Sequence, residues 1–169
     1  MESVTSDRYE CMKKIIDSDN FLLIQDIDGV CIPLVKDPLT RKMDAKYVIA
    51  VSKLKDEFSV LTCGEHEGRR GVNRIVEKAL NSKIKAKQEG LYLPGLAACG
   101  IEYQDNYGKI DLLGVTDKEI EFLNDVPNLM KVFLIEELKL ILPELNHDEI
   151  ITYSSLSVCD TRFSPTINL

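Results

Sequence analysis

The chain has 169 residues, 44% of them hydrophobic, and carries a formal net charge of −7. That size suits one ordinary soluble domain, or one domain and the start of another. The acidic balance repels phosphate backbones and argues against a nucleic-acid partner, and no apolar run approaches the length of a membrane span.

An anionic small substrate stays admissible where local cations offset the field. The N-terminal "MESVTSDRYE" lacks a basic region followed by an apolar stretch, so no secretory signal is expected. The cysteines Cys11, Cys31, Cys63, Cys99 and Cys159 are scattered, with no CxxC among them. They read as free thiols of a reducing cytosol, which makes the expected location cytoplasmic.

In chain order, residues 6 to 17 place Tyr9, Met12 and Ile16 on one helical face, with Ser6 or Asp7 as the cap. "NFLLIQDI" reads as a buried parallel-sheet strand, continuous in apolar residues. Residues 29 to 43, "GVCIPLVKDPLTRKM", carry two prolines and read as a flap or short hairpin. Asp44 caps a helix to about residue 57, with Val48, Val51 and Leu54 inward. "FSVLT" is a second strand, and "GRRGVNRIVEKAL" a helix burying Val72, Ile75, Val76 and Ala79. Strand, helix, strand, helix is the parallel α/β pattern.

After residue 86 the rhythm changes. "GLYLPGLAACGIEYQDNYGKID" predicts short strands with turns at Pro94-Gly95 and Asn106-Tyr107-Gly108. "TDKEIEFLNDV" opens with Thr116 and Glu119 at capping-box spacing. Asp125 and Pro127 are expected to interrupt and restart that helix, which then runs to about Leu142 with Met130, Phe133, Leu134, Leu138 and Ile141 on its apolar face. A last strand is expected over "EIITYSSLSV".

The chemistry concentrates in "FLLIQDIDGV". Ligands of open parallel sheets gather beyond the carboxyl ends of the strands, where Asp26 and Asp28 follow strand 1 and Thr62 follows strand 2. An ionised aspartate can attack phosphorus and form an acyl-phosphate, splitting one hard hydrolysis into two easier steps. A second carboxyl two residues on projects to a similar side. It can protonate the leaving alkoxide and then deprotonate the attacking water. The hard oxygen ligands suit magnesium at Asp26 and Asp28, and Gly29 lets the chain turn away sharply. The plainer reading of DxDG, a polar turn at a strand end, is outweighed by the apolar strand before it and the strand-Thr-helix after it.

"LTCGEHEGRRG" is the second constellation. The Thr62 hydroxyl and the backbone at Cys63 and Gly64 can hold a phosphate oxygen, helped by the dipole of the following helix. Arg69 and Arg70, with Arg74 beyond, are local cations for an anionic substrate, and His66 is a possible substrate contact. For each arginine singly the reading as a solvated loop residue is favoured, and a lone loop histidine is more often merely exposed. Cys63 has no base at a telling spacing and is not expected to be a nucleophile.

These residues resemble the haloacid dehalogenase superfamily of aspartate-nucleophile phosphatases, on an apolar strand followed by DxD and a second strand ending in Thr. The resemblance implies a Rossmann-like parallel-sheet core with an inserted α+β cap, here partial: 1–110 the N-terminal part of the core, 111–169 part of the cap. It implies Asp26 as nucleophile, Asp28 as general acid/base, Thr62 as the phosphate-orienting hydroxyl, and magnesium on the Asp26 carboxylate and the Asp28 carbonyl. A narrower likeness rests on "IQDIDGVCIPLVKDPLTR", "LTCGEHEGRRGVNRIVE" and "EGLYLPGLAACGIEYQD". These are similar to cyanobacterial phosphatases that form the compatible solute glucosylglycerol from its 3-phosphate under salt stress, which implies a small phosphorylated sugar-polyol as substrate.

The superfamily's later lysine and acidic pair have no counterpart after residue 111, where Asp160 stands alone behind "SLSV". The chain is therefore expected to stop inside the cap and to be inactive or weak by itself. Two other readings stay open: a non-catalytic phosphoglycoside-binding or regulatory module, and a phosphotransferase sharing the same aspartates.

Overall fold

The computed structural model describes residues 3–18, 20–159 and 161–168. The elements in order are α1 (Ser3–Ile16), β1 (Leu23–Gln25), α2 (Ala45–Val51), β2 (Phe58–Leu61), α3 (Val72–Leu80), α4 (Lys83–Gln88), β3 (Gly95–Ala97), β4 (Glu102–Gln104), β5 (Ile110–Leu112), α5 (Asp117–Ile141), α6 (His147–Ser157), β6 (Val158–Cys159) and β7 (Thr166–Ile167). The first five strands form one sheet in the order β1-β2-β3-β4-β5. β1, β2 and β3 run parallel, while β4 and β5 are antiparallel additions. The result is a mixed α/β fold with a parallel-rich sheet, compatible with a Rossmann-like core.

One face of this sheet carries the core. Phe58 and Val60 point into it and meet Ile27, Val48, Val51, Val72, Ile75 and Val76. The helix faces follow from the 3.6-residue period: Val48 and Val51 on α2, and Val72, Ile75 and Val76 on α3, are buried as their spacing predicts. A reciprocal amide pair docks α3 on β4. Asn73 Nδ2 donates to Gln104 Oε1 at 2.6 Å, and Gln104 Nε2 returns a bond to Asn73 Oδ1 at 3.0 Å. Both amides are buried, so their mutual satisfaction is what makes their enclosure tolerable.

The opposite face is open. The register aligns Ile24 with Ser59, and Leu61 with Leu96 and Tyr103. Of this set Ile24, Leu61 and Tyr103 are exposed. β1 is also the edge strand, so "FLLIQ" is not the buried strand its composition predicts; Leu22, Leu23 and Ile24 all lie open. Apolar runs report what a strand is built to bury, not what this span of chain covers.

Other differences are local. α1 begins at Ser3, which puts Ser6 and Asp7 inside the helix instead of at its cap, and Tyr9 and Met12 are exposed. α2 is capped by Asp44, whose carboxylate accepts the Lys46 N–H at 2.8 Å, but it stops at Val51. Gly95 opens β3 instead of making a turn, and the chain reverses through a 3₁₀ turn at Ala98–Gly100. Pro127 sits within a continuous α5. The "EIITYSSLSV" segment is helix α6 up to Ser157 because Asn146 and Glu149 form a capping box that prevails over its β-branched residues.

Candidate functional site

β1 hands the chain to Asp26, Ile27 and Asp28 at its carboxyl end. The register pairs Gln25–Val60 and Val60–Gly95 put residues 26–28, 62–64 and 98–100 beyond the ends of three adjacent parallel strands. Ile27 is wholly buried and anchors the strand end, leaving Asp26 exposed and Asp28 half-buried on either side of it. The Asp26 carboxylate accepts the Ile27 N–H at 2.7 Å. Gly29 then turns the chain at a φ of +85°, its N–H bonded to the Ile32 carbonyl at 2.8 Å. An L side chain is strained at that φ.

Behind the aspartates, the Cys31 sulfur lies 3.0 Å from the Asp26 carbonyl and 3.0 Å from the Tyr47 hydroxyl. The Tyr47 hydroxyl donates to Gln25 Oε1 at 2.8 Å. This chain of bonds ties the tip of β1 to α2. Burial pushes the Cys31 thiol up; its bond to Tyr47 opposes this, and the nearby charges of Asp26 and Asp28 add to it. Cys31 is a proton-bearing brace and not a nucleophile.

In the second loop the Thr62 side chain is buried, its backbone N–H held by the Leu96 carbonyl at 3.0 Å. Thr62 Oγ1 accepts the Gly64 N–H at 3.2 Å. The Gly64 carbonyl accepts the Ala98 N–H at 2.6 Å, fastening this loop to the turn after β3. Cys63 is exposed beside Cys99, whose thiol is pushed up chiefly by their mutual hydrogen bond. His66 is not offered to a ligand, contrary to its expected role: it is fully buried, with Nε2 3.0 Å from the Gly95 carbonyl. Its backbone N–H donates to Glu102 Oε2 at 2.8 Å.

A cleft of about 420 Å³ opens between the flap and the second loop. It joins Asp28 to Gly64 and Arg70, with Lys36 and Arg41 from the flap and Thr161 and Asn168 from the C-terminal segment. Arg69 lies instead in a smaller recess with Glu65 and Arg162. The C-terminal segment reaches the second loop through Glu65, which accepts the backbone N–H groups of Arg162 and Phe163. Asp160 lies outside the described residues.

Arg41 is the residue that motif reading passes over. It is 7% exposed, and its Nη1 meets both Asp28 oxygens, at 3.1 and 2.9 Å. Nε donates to the Pro38 carbonyl at 3.1 Å and Nη2 to the Arg70 carbonyl. The flap is thus pinned across the cleft.

Asp26 and Asp28 offer hard oxygen donors, which fit a small divalent cation. Among the described residues no group of three His, Cys, Asp or Glu side chains is gathered to hold one. A cation bound there would draw only these two carboxyl-bearing residues from the described part of the chain. No helix of the described residues is long and apolar enough to cross a membrane.

No solved structure matches the chain. It is 46% identical over 156 residues to the glucosylglycerol-phosphate phosphatase of Synechocystis sp., covering 90% of this chain and 36% of that protein. The chain therefore spans about a third of the length of that curated relative. The model of the glucosylglycerol-phosphate phosphatase family matches residues 20–169, taking in the aspartate pair, the flap, the Thr62 loop and the C-terminal segment, and the chain belongs to that family.

Proposed function

We propose that the intact protein hydrolyses a phosphate monoester of a glucosylated glycerol, glucosylglycerol 3-phosphate, through a phosphorylated Asp26. The observation that carries this reading is the placement of Asp26 and Asp28 at the carboxyl end of the first of three parallel strands, with Thr62 and Gly64 beyond the next. A carboxylate oxygen of Asp26 attacks phosphorus as the P–O bond to glycerol breaks. Protonated Asp28 gives its proton to the departing alkoxide, so the alcohol leaves neutral. Asp28, now ionised, takes a proton from water, whose oxygen attacks phosphorus, freeing phosphate and the Asp26 carboxylate. Thr62 and the backbone at Cys63 and Gly64 steady the phosphoryl oxygens, and Arg70 supplies positive charge in the cleft. The Asp26 carboxylate and the Asp28 carbonyl would hold magnesium, which would neutralise charge there when bound.

In this reading residues 1–110 belong to the catalytic core and 111–169 to a cap, with a cytoplasmic, salt-stress role for the product. The test is phosphate release from a panel of sugar and polyol phosphates with magnesium, using the intact protein and Asp26→Asn. The amide cannot form the acyl-phosphate, so the expected loss is at least about 10³-fold. Full activity in Asp26→Asn overturns the assignment. The 169-residue segment, run alongside, is expected to turn over far more slowly than the intact protein, because its own carboxylates are only part of a cation site.

A further inference from the structure

We propose that Arg41 is a positioning residue for the reaction, a strut that sets the Asp28 carboxyl for proton transfer; this rests on the phosphatase reading above. A charged side chain enclosed this far is tolerated only when its donors are met. Arg41 meets that demand on all three nitrogens at once. Nη1 meets both Asp28 oxygens, Nε the Pro38 carbonyl and Nη2 the Arg70 carbonyl.

These acceptors come from three places: the strand end, the flap and the second loop. The guanidinium is planar and rigid, so anchoring Nε and Nη2 on the flap and the second loop fixes the position of Nη1, which holds the carboxyl. Asp28 nevertheless keeps 38% of its side-chain surface open, and both residues line the same cleft. Each Arg41 nitrogen is committed to the flap, the second loop or Asp28, so the residue acts through the carboxyl that it holds.

This separates Arg41 from ordinary packing by leaving-group chemistry. An alkyl phosphate needs a proton on its departing oxygen, whereas p-nitrophenolate departs without one. In the intact protein, Arg41→Gln is expected to lower kcat on the polyol phosphate about 100-fold, with KM within about 3-fold of wild type. The first-turnover burst of p-nitrophenolate from p-nitrophenyl phosphate is expected to stay close to wild type. Arg41→Lys keeps the charge and the stem but not the fork, and is expected to recover less than about a tenth of the loss. In an Asp28→Asn background, Arg41→Gln should add nearly nothing on the polyol ester, since partners acting as one unit are not additive.

Equal losses in the first turnover of both esters, a rise in KM at unchanged kcat, or full additivity with Asp28→Asn would each overturn the strut. If Arg41→Gln does not fold, Arg41→Lys decides by the same comparison of esters. Asp26→Asn, assayed in parallel, keeps the two ideas apart. Its turnover of both esters would remove the aspartyl-phosphate reading, whereas an ester-independent Arg41 effect removes only the strut.

Discussion

His66 uses its two ring nitrogens unequally. The Gly95 carbonyl can only accept, so Nε2 carries the proton, and the buried Nδ1 has no partner among the described residues. A second proton would have to sit on Nδ1, away from water, and burial accordingly pulls the His66 pKa down; its bond to Gly95 and the Glu67 charge oppose this in part. Because the folded value lies below the unfolded one, the stability from keeping the ring neutral is present above about pH 6.5 and is lost as pH falls through the folded value. Glu102 runs the other way. Burial raises its pKa against the bond from the His66 N–H, so its contribution is present below the usual carboxylate range and lost as pH rises through the folded value. Denaturant unfolding across pH should show an acid limb that flattens in His66→Gln, by up to about 1.4 kcal/mol per pH unit in that window; an unchanged limb would contradict the burial argument. The placement of Asp26, Asp28 and Thr62 at strand ends was legible because it follows from local pattern, oxygen-bearing residues directly behind apolar runs. His66 and Arg41 were not, because enclosure is decided by residues 29 and 13 positions away in sequence, Gly95 and Asp28 respectively.

Among the elements, β3 lies close against β2. Gly95 has a φ of +135°, and a Cβ there would lie 2.2 Å from the Val60 carbonyl oxygen and 2.5 Å from the Val60 nitrogen. Gly95→Ala must therefore part β2 from β3, and the expected cost is at least about 3 kcal/mol, read as a lowered unfolding midpoint. A midpoint equal to wild type would mean that the strands are less tightly apposed. The same glycine shows why "YLPGLA" reads as a turn: Pro-Gly is a turn signal, and here it serves close strand approach instead. Helices were legible where caps and periodicity coincide, as at Asp44 and Thr116. They were misread where only one signal was weighed, Pro127 as a break and the Ile-Ile-Thr of α6 as a strand.

For the molecule as a whole, alternating strands and helices announced the parallel sheet, and with it the end where the carboxylates lie. Its one-sided covering was not legible, since the apolar residues of "FLLIQ" would suit a strand flanked on both sides. β1 meets the sheet through β2 alone, with Leu23, Ile24 and Gln25 facing Phe58, Ser59 and Val60. Both aspartates thus follow an edge strand, which is paired on one side only. Amide hydrogen exchange should register this: the Leu23–Gln25 amides of the 169-residue chain are expected to exchange well before that of Val60, which lies between two neighbours. Matching rates for the two strands would show β1 to be as secure as the centre of the sheet. A marginal edge means that local fraying, far short of unfolding, would withdraw both carboxyls from their partners in a single opening event.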